Sequence, residues 1–254
     1  MLTRQRQQHL LAVLKRDGRI VARDCAGQLE VSEDTIRRDL RELARAGMLL
    51  RVHGGALPAS QAVQALAVRQ SISRPEKAAL AQAGARLIQP GQVVFLDGGT
   101  TTLALARALE RDLRATIVTH SPTVAAELVD HAVEVRLIGG RLFKHSMVAV
   151  GAEAAEAIRR VRADLYFMGV TGIHAEIGLS TGDAEEATIK RMIAEASADV
   201  VVMASSEKIG AASPFVIAPA TRVGTLLIAR GAPRHAVSVL AALGIEIVRV
   251  AAGA

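Results

Sequence analysis

The stretch Ser32-Glu-Asp-Thr-Ile-Arg-Arg-Asp-Leu-Arg-Glu-Leu-Ala-Arg-Ala46, followed by Gly47, decides how the N-terminal end is read. Ser32 is a good N-cap and Gly47 a good stop, so the spacing predicts a helix over Glu33–Ala46. At about 100° per residue, with Arg37 set to zero, Arg41, Arg45 and Arg38 fall at about 40°, 80° and 100°. Ile36, Leu40 and Leu43 fall at about −100°, −60° and −120° on the same count. One narrow stripe is apolar and the adjacent arc holds four arginines; Asp34 lies inside that arc, Asp39 and Glu42 beyond it. A buried stripe beside guanidinium groups suits a helix laid in the major groove of DNA. An ordinary amphipathic helix with a solvated basic face has the same pattern, and the flanking segments favour the groove.

Those segments are two shorter helical stretches, Arg4–Arg16 and Val21–Leu29, on one side and a hairpin on the other. Met48-Leu-Leu-Arg-Val-His53 reads as extended, with Gly54-Gly55 as its turn. Residues 1–56 carry 11 basic and 7 acidic side chains, whereas 57–254 carry 20 and 18, so most of the net +6 sits at this end. A compact basic end points to a polyanion partner. With aromatic residues at 2% and no Trp, stacking on single-stranded nucleic acid is not expected.

The chain has 254 residues, 50% of them apolar and 22% charged, which excludes disordered and disulfide-scaffold classes. Met1–His9 has no apolar run behind its charges, and no stretch is long and apolar enough to span a membrane, so a cytoplasmic protein without a membrane partner is expected. The single cysteine, Cys25, forms no internal disulfide and reads as core.

After a linker over 58–73, short β-branched runs alternate with helical patterns from Arg74 onward. Gln92–Asp97, Thr116–His120, Val133–Ile138, Asp164–Gly169, Asp199–Ala204, Val223–Ile228 and Ile245–Val250 read as strands. Thr101–Arg111, Pro122–Asp130, Gly151–Arg160, Ala184–Ala198 and Pro233–Leu243 read as helices. The alternation predicts a mostly parallel, Rossmann-like sheet covered on both faces.

Ligands of such sheets sit beyond the carboxyl ends of the strands. Asp97-Gly-Gly-Thr-Thr-Thr102 runs into a helix expected from Leu103, offering close backbone approach, three hydroxyls and a helix start for an anion. Thr119-His-Ser121 again precedes a helix, opened by Pro122. Ile138-Gly-Gly-Arg-Leu-Phe-Lys144 adds flexible backbone and two cations. Asp-Gly-Gly is also a common turn and Thr or Ser a common cap; it is the three together at neighbouring strand ends that favour a phosphate pocket.

The run Val31-Ser-Glu-Asp-Thr-Ile-Arg-Arg-Asp-Leu40 with Arg51-Val-His-Gly-Gly-Ala56 closely resembles the DNA-binding signature of DeoR-type bacterial transcriptional regulators. Asp97–Thr102, Thr119–Ser121, Ile138–Gly140, Gly178–Asp183 with Glu185–Lys190, and Lys208–Gly210 resemble the sensor domain of the same family. The resemblance implies a winged helix-turn-helix (1–57) and an α/β sensor domain (74–254) of the fold shared with ribose-5-phosphate isomerases, binding a phosphorylated sugar or polyol. It makes Ser32, Asp34, Thr35, Arg37, Arg38, Arg41, Arg51 and His53 the expected contacts to double-stranded operator DNA. Asp97, Gly98, Gly99, Thr100, Thr101, Thr102, Thr119, His120, Ser121, Gly139 and Gly140 would cradle the effector, with Lys190 as the nearby cation. Family members often carry Asn at His120, and this chain departs again at Ser205-Ser-Glu207. A homo-oligomer, dimer or tetramer, is expected, and no cofactor or metal.

The leading reading is a ligand-responsive repressor of carbohydrate or polyol genes. The alternative is a sugar-phosphate isomerase-like enzyme with an accessory DNA-binding end, in which Asp97, Glu186 and Lys190 would do the chemistry. A dinucleotide sensor is nearly excluded, since neither a G-x-G triplet nor a Gly-Lys pair occurs.

Overall fold

The computed structural model describes residues 2–60, 69 and 71–251. At the N-terminal end, helix α1 (Thr3–Asp17) stops where Gly18 turns to φ +71°, and α2 (Ala22–Gln28) leads to α3 (Glu33–Arg45). Leu10, Leu14, Cys25, Ile36, Leu40 and Leu43 form a shared core, so the apolar stripe of α3 is the buried one. Strands β2 (Leu49–Val52) and β3 (Gly55–Pro58) form the expected hairpin. A third strand, β1 (Ile20–Val21), was not expected; it pairs antiparallel with β3 and is too short to show a period of two. Its approach explains Gly55, where a β-carbon would lie 1.7 Å from the Ile20 carbonyl oxygen.

In the larger part, side chains of successive strand residues go to opposite faces, as the pleat requires. Val94, Leu96, Ile117, Phe167, Val201 and Leu227 pack with the helices Arg74–Ala85 and Thr100–Ala108. Phe95, Val118, Tyr166, Val200, Val202 and Leu226 pack on the other face with Ala152–Arg159, Ala184–Glu195 and Arg234–Ala241. Both faces are therefore buried, which is why these strands read as unbroken apolar runs.

Among the described residues, β4 (Val93–Leu96), β5 (Thr116–Thr119), β6 (Glu134–Leu137), β9 (Ala163–Met168), β12 (Ser197–Ala204), β14 (Thr225–Ala229) and β15 (Glu246–Val250) form one parallel sheet. Its spatial order is β15-β14-β12-β9-β4-β5-β6. The chain winds outward from β4 in one direction and from β9 in the other, so the order reverses between these two neighbours. That is the doubly wound topology, with its switch point at the β4/β9 crevice.

Several boundaries differ from the periodicity. The helix after Asp97 starts at Thr100, because Gly99 at φ +109° turns the chain at once. The helix from Ala184 ends at Glu195, and β12 takes over from Ser197. A second sheet, β10 (Gly172–His174), β11 (Gly178–Thr181) and β13 (Phe215–Ala218), and a hairpin, β7 (Arg141–Phe143) with β8 (Val148–Val150), were not anticipated. Most of the expected linker, 61–68 and 70, lies outside the described residues. No helix among the described residues is long and apolar enough to cross a membrane.

Candidate functional site

Ser32 Oγ accepts a hydrogen bond from Thr35 N (3.2 Å) and fixes the start of α3. Asp39, on the opposite side from the arginine arc, is buried and ion-paired with the buried Arg6 of α1, which locks α3 against α1. Arg37, Arg38 and Arg45 are exposed and Arg41 is half-buried. Arg37 pairs with Glu33 (2.7 Å) and Arg38 with Asp34 (3.8 Å), one turn apart on the surface. Such pairs are worth about 0–1 kcal/mol, so a DNA phosphate can replace the carboxylate at little cost. Arg51 and His53 are exposed on the wing hairpin, whose turn is Gly54 at φ +76°.

The second site lies at the switch point. Gly98, directly after β4, has room for no side chain: a β-carbon there would lie 2.2 Å from Val148 Cγ1. Asp97 is fully buried, and both of its oxygens are occupied. Oδ1 accepts from His120 Nε2 (2.8 Å) and Gly98 N (2.7 Å). Oδ2 accepts from Tyr166 OH (3.0 Å), Gly169 N (2.8 Å) and Lys190 Nζ. His120 Nδ1 lies 2.9 Å from the Ala149 carbonyl oxygen, so both ring nitrogens face oxygens. Lys190 also pairs with Glu186 (3.5 Å), whose other oxygen accepts from Thr181 Oγ1 (2.6 Å). Two buried carboxylates, Asp97 and Glu186, therefore converge on one buried ammonium.

Burial pushes the Asp97 carboxyl up, but Lys190 and His120 outweigh it and hold the group well below the usual carboxylate range. Burial pushes Lys190 down, and Asp97 and Glu186 more than reverse that. The Tyr166 phenol is raised by burial and by Asp97.

Above this network is a pocket lined by Gly98–Thr102, Ser146, Met168–Thr171, Thr181, Glu186, Lys190, Arg69, Lys77, Glu207 and Lys208. Four of these residues are cations and two are acids, and Lys190 is already committed to Asp97 and Glu186. Thr101 Oγ1 and Arg69 Nε are buried without a hydrogen-bond partner. Lys77 Nζ donates to the Arg69 carbonyl. Lys208 is buried, and its ammonium makes no hydrogen bond or ion pair among the described residues. Burial lowers its ammonium to about 8; Glu207 opposes the shift, and Lys77, Arg69 and Lys190 add to it. Burial also lowers Lys77 and Arg69. The start of the Thr100–Ala108 helix, an unpartnered hydroxyl and under-neutralised cations suit one chemistry, an anion with several oxygens.

Of the residues expected around a ligand, Gly98, Gly99, Thr100, Thr101, Thr102 and Lys190 line this pocket. Asp97 and His120 lie beneath it. Thr119 and Ser121 are buried beside His120, with Thr119 Oγ1 accepting from Ser121 N (3.1 Å) and Ser121 Oγ donating to the Met147 carbonyl (2.9 Å). Gly139 and Gly140 are exposed and do not line it; Gly140 lets the chain pass the Val150 carbonyl oxygen, 2.8 Å from where a β-carbon would stand. Sequence reasoning assigned no role to Lys77, Arg69, Glu207 or Lys208. Of these, Lys208 falls in the quoted Lys208–Gly210 match and Glu207 in the divergent Ser205-Ser-Glu207 run.

Residues 6–62 match the DeoR-like helix-turn-helix domain and residues 72–229 the DeoR C terminal sensor domain. The chain belongs to the DeoR family. This DeoR-family chain is 36% identical to the HTH-type transcriptional regulator GlpR of Haloferax volcanii over 83% of each chain. It is 33% identical to the glycerol-3-phosphate regulon repressor of Escherichia coli strain K12, covering 81% of this chain and 82% of that one. Among solved structures it is similar to the full-length sorbitol operon regulator SorC of Klebsiella pneumoniae, with a TM-score of 0.41 and 13% identity over 94% of this chain and 98% of that one. A ribose 5-phosphate isomerase from Methanocaldococcus jannaschii gives a TM-score of 0.40 and 15% identity over 57% and 55%. The DeoR-family chain is thus a DNA-binding transcriptional regulator and not an enzyme.

Proposed function

We propose that this regulator is a cytoplasmic homo-oligomeric repressor of carbohydrate or polyol genes, released from its operator by a phosphorylated sugar or polyol held at the switch-point pocket. The unpartnered Thr101 hydroxyl, at the start of the Thr100–Ala108 helix and in the same pocket as Lys208, is the observation that carries the effector reading. The phosphate sits against Gly98–Thr102 and Lys208, while Asp97, His120 and Lys190 hold the floor rigid beneath it. Ser32, Asp34, Thr35, Arg37, Arg38, Arg41, Arg51 and His53 face the operator, with α3 in the major groove. The name of the similar glycerol-3-phosphate regulon repressor is in keeping with this class of effector. Release requires the ligand to bind the two states differently, by about 1–3 kcal/mol of coupling.

The test is thermal unfolding of the full chain with phosphorylated sugars, their unphosphorylated parents and inorganic phosphate. A ligand at a hundredfold excess over its Kd adds about 2.7 kcal/mol to the native state and raises the Tm. A selective rise with a phosphorylated compound, lost in Lys208→Gln, is expected. No rise with any phosphate overturns the effector reading.

A further inference from the structure

The segment Ser205–Ser213, leaving the carboxyl end of β12, touches three parts of the molecule. At its start, Ser206 donates through N (2.9 Å) and Oγ (3.0 Å) to Glu76, and Glu207 accepts from Ser73 Oγ (3.1 Å). Those bonds tie it to the first turn of the Arg74–Ala85 helix. In its middle, Lys208 lines the pocket. At its end it meets the chain leaving the wing: Ser60 N donates to the Ala212 carbonyl (3.3 Å), Ala212 N donates to the Pro58 carbonyl (3.2 Å), and Ala59 and Ala212 are bridge partners. Ser60 Oγ also donates to the carbonyl of Thr171 (2.5 Å), a pocket residue whose hydroxyl is bonded to Ser213 Oγ (2.7 Å). One element therefore holds the exit of the wing, the entry to the sensor domain and a wall of the pocket.

The walls of the pocket differ in what holds them. The walls at Gly98 and Met168 are the ends of core strands, packed on both faces. The wall at Lys208 rests instead on the loop hydrogen bonds just described.

We infer that Ser205–Ser213 transmits pocket occupancy to the DNA-binding wing: a phosphorylated ligand that engages Lys208 shifts this segment and, through Ala212 and Ser60, the strand that leaves β3. The inference rests on the pocket being the effector site.

The experiment uses the full chain with Ala59→Cys and Ala212→Cys in a Cys25→Ala background, so that oxidation locks the wing exit to the segment and reduction frees it. Amide hydrogen exchange is read in both forms without ligand. Oxidation is expected to slow exchange at the amides of Lys208 and Ile209, at the pocket end, by a factor of about three or more. Unchanged exchange there in the oxidised, folded protein overturns the inference, and failure of the pair to oxidise overturns the clasp it depends on. A second arm adds inorganic phosphate to both forms and reads the amides of Gly99–Thr102. No protection there counts against the effector pocket, while the lock still decides whether the two ends of the segment move together.

Discussion

Lys190 Nζ meets Asp97 Oδ2 across 93 residues of sequence, and neither side chain exposes more than 3% of its surface. The ion pair joins the Ala184–Glu195 helix to the end of β4 directly under the pocket. Removing one partner leaves the other charged and buried, at a cost of about 3–5 kcal/mol. Asp97→Ala, which strands both Lys190 and His120, is expected to lower urea stability by at least that much. A loss of less than about 1 kcal/mol, the scale of a surface pair, refutes this account of the network.

The same carboxylate sets an acid limit. Its folded-state pKa is depressed, so its contribution is complete above the unfolded value of about 3.9 and is lost as pH falls from there through the lower folded value. Acid unfolding followed by circular dichroism gives the comparison: Asp97→Asn should unfold with a shallower dependence on pH below 4 than wild type, from a lower starting stability.

Lys208 works in the opposite direction. Burial lowers its ammonium to about 8, so the folded state binds fewer protons than the unfolded state between there and about 10.5, and this group makes stability rise with pH over that window. An anion beside it favours the charged form. Affinity for a phosphorylated ligand should therefore fall as pH rises through 8, with proton uptake visible by calorimetry in buffers of different ionisation enthalpy. Lys208→Gln should lose both the affinity and the proton uptake while staying folded.

Arg38 and Asp39 are neighbours with opposite assignments. Arg38→Ala, at an exposed position, should leave the Tm within about 2 °C of wild type and weaken operator binding by about 1–3 kcal/mol if the guanidinium reads a base edge. Asp39→Ala leaves Arg6 buried without its partner and should lose DNA binding through unfolding of the N-terminal domain. Anisotropy titrations beside thermal melts separate the two; equal melting of both variants would remove Asp39 from its structural role.

Gly98→Ala tests the pocket rim. The added methyl meets Val148 Cγ1 at 2.2 Å, with the Ser146 carbonyl oxygen at 3.1 Å. Overpacking of this kind costs about 1–3 kcal/mol. Denaturant unfolding should show that loss, and Val148→Ala in the same chain should restore part of it.

The readable parts of the sequence were those with local causes. Ser32 and Gly47 bracket α3, the Ile36–Leu40–Leu43 stripe points inward, and runs such as Asp199–Ala204 are apolar because both faces of the sheet are covered. Asp97–Thr102 drew attention because a glycine pair, hydroxyls and a helix start act within a few residues. The rest depends on separation. Lys77, Arg69 and Lys208 converge only because β12 ends beside the switch point and the first sensor helix begins across from it. Lys190 read only as the cation near the effector, because its partner Asp97 lies so far away in the chain. The small β10–β11–β13 sheet escaped notice because its strands are short, and two of them, β10 and β11, begin at glycine.

The five donors around Asp97 have one more consequence. A carboxylate offers roughly four lone-pair positions, and all are claimed by the protein. No capacity remains to draw a proton from a bound sugar, although the group stands just below where that sugar would lie. On the proposed reading, a metabolite held there would meet Asp97 as a fixed support and not as a base, so the regulator would sample the size of a pool without this group drawing on it.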